Sequence, residues 1–183
     1  MPSSTDFFPP RAFASLEYDG ADSRKANSEF LRLMSEPSLW CGQALDEGYR
    51  VLNYFPFWGP PHPVAVRLTR TGAGLDLVAV SLAGGRDTGV GLSVGNRIQK
   101  SLGMAEFTAF ASTVETAGFW TAPNVPPQGS AIVLDADVWI LEGRRGGLYR
   151  LLPFSPSQRS SFTPMLKMFF GMSGLEVPSE LAK

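Results

Sequence analysis

The chain has 183 residues, 44% of them hydrophobic and 18% charged, with a formal net charge of −1. That balance belongs to a globular chain with a real core and excludes a disordered one. Scattered Lys and Arg exclude the basic stripe that nucleic-acid binding needs, no apolar run approaches a membrane span, and one cysteine (Cys41) with one histidine (His62) excludes an internal disulfide, a thiolate cluster or a multi-histidine metal site.

Residues 1–21, with Pro9-Pro10 and few periodic positions, read as an irregular, loosely held arm. Asp22 is placed to cap a helix over Ser23–Glu36, with Phe30, Leu33 and Met34 as its apolar stripe and Pro37 as its stop. Strands are predicted over Tyr49–Phe55, Pro63–Arg70, Leu75–Leu82 and Leu92–Gln99. Between the first two lies a proline-stiffened loop carrying Phe57, Trp58 and His62, which presents side chains at low entropic cost. Phe107, Phe110, Val114 and Ala117 lie at helical spacing and predict a helix over Met104–Ala117, ended by Gly118 and followed by Phe119-Trp120 as an apolar anchor.

Residues 131–156 carry the strongest pattern. Ile132, Leu134, Ala136, Val138 and Ile140 alternate with Asp135, Asp137 and Trp139, the two-residue period of a half-buried strand. Gly143-Arg144-Arg145-Gly146-Gly147 turns the chain and Leu148–Leu152 returns as its hairpin partner. A turn at Gly143–Gly146 would set Trp139 opposite Arg150 as a cation–π pair. A C-terminal helix then begins near Gln158, or at Thr163 with Pro164 at its first position, buries Met165, Leu166, Phe169 and Met172, and ends at Gly174. These elements predict a single α+β domain over residues 22–176, with a tail at 177–183. Helices near the N-terminus, middle and C-terminus would cover one face of an antiparallel sheet of five or six strands.

Few residues point to chemistry. Gly91-Leu92-Ser93-Val94-Gly95 matches the nucleophile elbow of α/β-hydrolases, yet the single His62 precedes the serine, against the hydrolase order, and no helix pattern follows. The glycines from Gly84 to Gly95 lack the Gly-Lys-Ser/Thr of a phosphate cradle and read as a loop or bulged strand. Asp135 and Asp137 share one strand face with Cα atoms about 7 Å apart, enough to begin a cation site but short of the oxygens needed to complete one. Glu142 has the parity of the apolar face, so its carboxylate requires a partner, an arginine or backbone N–H groups at the turn.

The order Glu47-x-Tyr49-Arg50, Phe119-Trp120, Asp137-x-Trp139-x-x-Glu142-Gly143, Gly147-x-Tyr149 and Ser155-Pro156 resembles a group of small bacterial proteins marked by W-x-x-E-G, G-x-Y and S-P near the C-terminus. The likeness covers roughly residues 45–176. Members often carry Asp-Gly before the Trp and Tyr-His after the second glycine, where this chain has Asp137-Val138 and Tyr149-Arg150, so any role of that histidine is lost here. No activity is established for the group. The resemblance supports the layout of elements and draws attention to Trp139, Glu142 and Tyr149.

The functional expectation is a soluble, cytoplasmic, non-enzymatic binding protein that takes a small polar ligand or a protein partner on the 131–156 hairpin, through Trp139, Glu142, Tyr149, Asp135 and Asp137, and through Trp58. No cofactor, metal, nucleic acid or membrane is expected. The alternatives are a carboxylate-dependent hydrolase using Asp135, Asp137 or Glu142, with or without a divalent cation, and a homodimer joined through an edge strand.

Overall fold

The structure, a computed structural model, describes residues 7–10, 12–13, 20–41, 46–54, 63–72, 74–85, 90–123, 138–154, 160–176, 178 and 181. Phe57, Trp58, His62, Asp135 and Asp137 lie outside the described residues. The elements are α1 (Gly20–Leu33), β1 (Glu47–Tyr54), β2 (Val64–Thr71), β3 (Gly74–Gly85), β4 (Val90–Ser101), α2 (Met104–Thr116), β5 (Val138–Arg145), β6 (Leu148–Phe154), a 3₁₀ turn at Ser160–Phe162 and α3 (Thr163–Ser173). The strands form one antiparallel sheet in the order β4-β3-β2-β1-β5-β6. The chain is thus an α+β fold, with helices in the N-terminal, middle and C-terminal parts of the sequence. No described helix is long and apolar enough to cross a membrane.

Both faces of the sheet are covered, where the alternating strands predicted one. Tyr49, Val51, Val66, Leu68, Leu77, Trp139, Leu141 and Leu152 pack against Phe107, Phe110 and Val114 of α2 and Met165, Leu166, Phe169 and Phe170 of α3. On the opposite face Leu52, Ala65, Val78, Val80, Leu82 and Ile140 meet Leu31 and Met34 of the α1 region together with Phe7, Phe8 and Phe13. The described part of the N-terminal arm is therefore packed rather than loosely held, with Phe8 and Phe13 each 1% exposed. A strand buried on both sides loses its polar alternation, and Leu77-Val78-Ala79-Val80 in β3 shows that loss directly.

Local chemistry sets the element ends. At the end of α1, Glu36 N–H donates to Leu31 O and Ser35 N–H to Arg32 O, a Schellman closure with Ser35 at φ 53° where glycine is usual. The helix starts at Gly20, before the expected cap at Asp22, and Pro37 lies beyond this closure. Gly118 (φ 68°) closes α2 in the same way, through Phe119 N–H to Val114 O and its own N–H to Glu115 O. Pro164 opens α3 and Gly174 (φ 77°) ends it.

The β5–β6 hairpin turns on two residues. Arg145 pairs with Leu148, and the connecting Gly146 and Gly147 have φ of 54° and 84°, both in the left-handed region that such a tight turn demands. This register corrects the predicted one: Trp139 faces Phe154, and Arg150 faces Gly143. Gly143 is needed in the strand itself. A Cβ there would lie 2.5 Å from Phe119 Cε1 and 3.1 Å from Trp120 Cη2, so the aromatic anchor after α2 seats directly on the strand backbone.

Candidate functional site

On the face covered by α1, one register row carries three charged side chains side by side. Arg67 of β2 pairs with Arg50 of β1, and Arg50 pairs with Glu142 of β5. Two arginines directly opposed would repel. They are reconciled by Glu142 from one side and by Glu36, which arrives from the segment after α1.

Arg50 Nε donates to Glu142 Oε2 at 2.7 Å, and Nη2 stands 2.5 Å from the same oxygen but off the angle for a hydrogen bond. The hydroxyl of Tyr149 donates to Glu142 Oε1 at 2.7 Å, so both carboxylate oxygens are engaged. Arg50 Nη1 donates to Pro37 O at 2.7 Å and lies 3.7 Å from Glu36 Oε2. Arg67 Nε donates to that same Glu36 oxygen at 2.8 Å, and Arg67 Nη1 to Thr69 Oγ1 at 3.2 Å. Glu36 Oε1 has no hydrogen-bond partner among the described residues. The side chains of Arg50, Glu142 and Glu36 are 0%, 1% and 1% exposed, and two positive charges balance two negative ones.

Burial pushes the Glu142 carboxyl above the usual carboxylate range, against the pull of the Arg50 charge and the hydrogen bonds from Tyr149 and Arg50, with the Glu36 charge adding to the rise. Burial and the neighbouring Glu142 charge raise the Tyr149 phenol well above its ordinary value. Removing charges from water costs several kcal/mol per ion, which only close, well-bonded geometry repays. The arrangement is a buried electrostatic joint in which both oxygens of Glu142 are engaged.

Its mechanical effect is to fasten the α1 layer to the sheet. Three arginines from three strands each donate to a carbonyl of the segment following α1: Arg97 of β4 to Met34 O (2.9 Å), Arg50 of β1 to Pro37 O (2.7 Å) and Arg144 of β5 to Leu39 O (3.2 Å). Ser38 Oγ adds a link to Phe7 O at 3.3 Å, which ties in the N-terminal segment.

The opposite face holds the other half of the hairpin. Trp139 is fully buried, its ring edge-on to Phe170 at 5.7 Å, which corrects its placement with Asp135 and Asp137 on the polar side of a half-buried strand. Arg150 is set opposite Gly143 and not opposite Trp139. It donates to the carbonyls of Trp120 (2.7 Å) and Ala122, holding the turn after α2. Arg145 lies over the Trp120 ring at 4.9 Å and pairs with Glu115.

The structure therefore brings Glu142 and Tyr149 together and places Trp139 on the other side of the sheet. Glu142 has the arginine partner that its parity required. Sequence reasoning missed Arg50, Arg67 and Glu36 as its company. For Arg50 a signal was present, a lone charge inside the apolar run Tyr49-Arg50-Val51-Leu52. Glu36, at the exit of a helix beside Pro37, carried none. Ser93 sits exposed in the middle of β4 and not at a strand-to-helix corner, so the elbow geometry is missing. Among the described residues no three His, Cys, Asp or Glu side chains gather as a metal site. No protein-family model and no curated protein matches this chain.

Proposed function

We propose that the chain is a non-enzymatic binding protein, soluble and cytoplasmic, akin to the small bacterial proteins with the W-x-x-E-G, G-x-Y, S-P order. It uses the 131–156 hairpin to take a small polar ligand or a protein partner. One observation carries the reading: Glu142, the hairpin's central carboxylate, is buried with both oxygens engaged by Arg50 and Tyr149. A general acid, a nucleophile or a metal ligand must reach substrate or ion, and this group reaches only its own fold. The joint makes the hairpin a rigid platform, and a rigid platform loses little entropy on binding. At its tip Leu148 stands 63% exposed beside Gly146 and Gly147, an apolar contact offered on a stiff turn.

The test is a panel of chromogenic ester, phosphate and glycoside substrates, run on purified wild type and on Glu142→Gln, with and without Mg²⁺. The binding reading expects no turnover in any arm. Turnover that disappears in a folded Glu142→Gln protein overturns it in favour of a carboxylate-dependent hydrolase.

A further inference from the structure

Asn53 of β1 and Trp139 of β5 are register partners, one step inside the last pair of that ladder, Tyr54 with Val138. Directly opposed residues stand on one face with Cβ atoms roughly 5 Å apart. Asn53 is 1% exposed and Trp139 0%. Yet Asn53 Nδ2 and Trp139 Nε1 have no hydrogen-bond acceptor among the described residues. A buried donor without an acceptor is costly, and a leucine and a phenylalanine of similar shape would avoid the cost altogether. Two such donors on neighbouring positions mark a place where something else supplies the acceptor.

We propose that Asn53 and Trp139 hold the carbonyl oxygen of a neutral small molecule with an apolar body. Both protein groups are donors, so the ligand brings an acceptor. The neighbours fix the rest of its character. Phe154 faces Trp139 across the β5–β6 ladder, Val64 faces Asn53 across β1–β2, and Phe170 lies against the indole. Arg50 is on the opposite face of the sheet, spent on Glu142. An ionised carboxylate would thus arrive without a counter-charge and lose its hydration, whereas an amide, ketone or ester carbonyl would not. The inference rests on the binding reading of the hairpin and gives that reading a ligand class.

The experiment follows the Trp139 indole N–H in ¹H–¹⁵N spectra of the full chain, assigned through Val138 and Ile140, during titration with hexanamide and, separately, hexanoate. Hexanamide is expected to move that resonance downfield to saturation, and hexanoate to bind at least tenfold more weakly. Asn53→Leu is expected to abolish the shift and to raise the melting temperature of the ligand-free protein, because an unpaired donor has been removed. An indole that hexanamide leaves unmoved, hexanoate binding as tightly as the amide, a long-lived water already at the indole N–H in the free protein, or a lower melting temperature for Asn53→Leu each overturns the inference. Any of these results without turnover in the substrate panel removes the site alone, whereas turnover removes the binding reading beneath it.

Discussion

Arg50 and Arg67 face each other across adjacent strands, yet the two guanidinium groups share a nearly dry interior. The contact is tolerable only because two carboxylates from distant parts of the chain reach the same point. Glu142 lies 92 residues beyond Arg50, and Glu36 lies 31 before Arg67. The cluster behaves as a single unit, and taking one charge away strands the others.

Replacing Arg50 by Leu leaves Glu142 and Glu36 buried with half of their positive charge gone. The expected loss is about 3–5 kcal/mol at pH 7, read by equilibrium urea unfolding. The deficit should shrink as the pH is lowered, because the stranded Glu142 carboxyl, already raised by burial, can then take up a proton. A variant as stable as wild type at pH 7 would contradict the joint described above.

The pH dependence of wild type follows from Glu142. Its carboxyl in the folded chain titrates above its ordinary value because burial outweighs Arg50 and Tyr149. Between the ordinary and the raised value the folded state binds the extra proton, so this group's contribution is fully present in acid below the ordinary range and declines as pH rises through the raised value. Glu142→Gln, which cannot ionise, is expected to flatten that part of the stability curve. Melting curves at several pH values from mildly acidic to neutral check this, and an unchanged slope in the variant would refute it.

Gly143→Ala introduces a Cβ into the Phe119 ring, with Cε1 at 2.5 Å and Cζ at 3.0 Å. Overpacking of this kind costs about 1–3 kcal/mol. Gly146→Ala, with open space at its Cβ but φ of 54°, should strain the turn without touching the core. Tryptophan fluorescence separates the two, since only the first disturbs Trp120.

Phe13→Ala tests whether the N-terminal segment belongs to the folded unit. Phe13 is 1% exposed and meets Phe8 edge-on at 5.2 Å in the second core. A buried phenylalanine cut to alanine loses about 3–5 kcal/mol, measurable by denaturant unfolding. A change under 1 kcal/mol would restore the loosely held arm.

Much of the fold was legible in the residues. The helical spacing of Phe107, Phe110 and Val114 located α2, Gly118 and Gly174 marked two helix ends, and the alternation in β2 placed Val66 and Leu68 on one side. Two things escaped. The second covering layer did so because Phe7, Phe8 and Phe13 have no periodicity of their own and are buried by where the chain passes. The hairpin register did so because three glycines lie within five residues, and only the ring packed on Gly143 decides which of them turn the chain. Of the site, Glu142 and its need for an arginine could be read from strand parity. Arg50 left a trace as the lone charge in an apolar run, but Arg67 and Glu36 could not be read, since they join through strand pairing and a helix exit that the sequence does not reveal.

The strand order β4-β3-β2-β1-β5-β6 has a consequence for how the chain assembles. The first four strands form a meander of neighbours, and the last two form a tight hairpin, each from short loops or local contacts. The β1–β5 seam alone joins the two, across the long stretch that includes α2, and closing so wide a loop carries the larger entropic penalty. Arg50 and Glu142 sit on that seam. Their union therefore secures the pairing that costs the chain most entropy to close, and on that ground it is expected to follow the formation of both halves of the sheet.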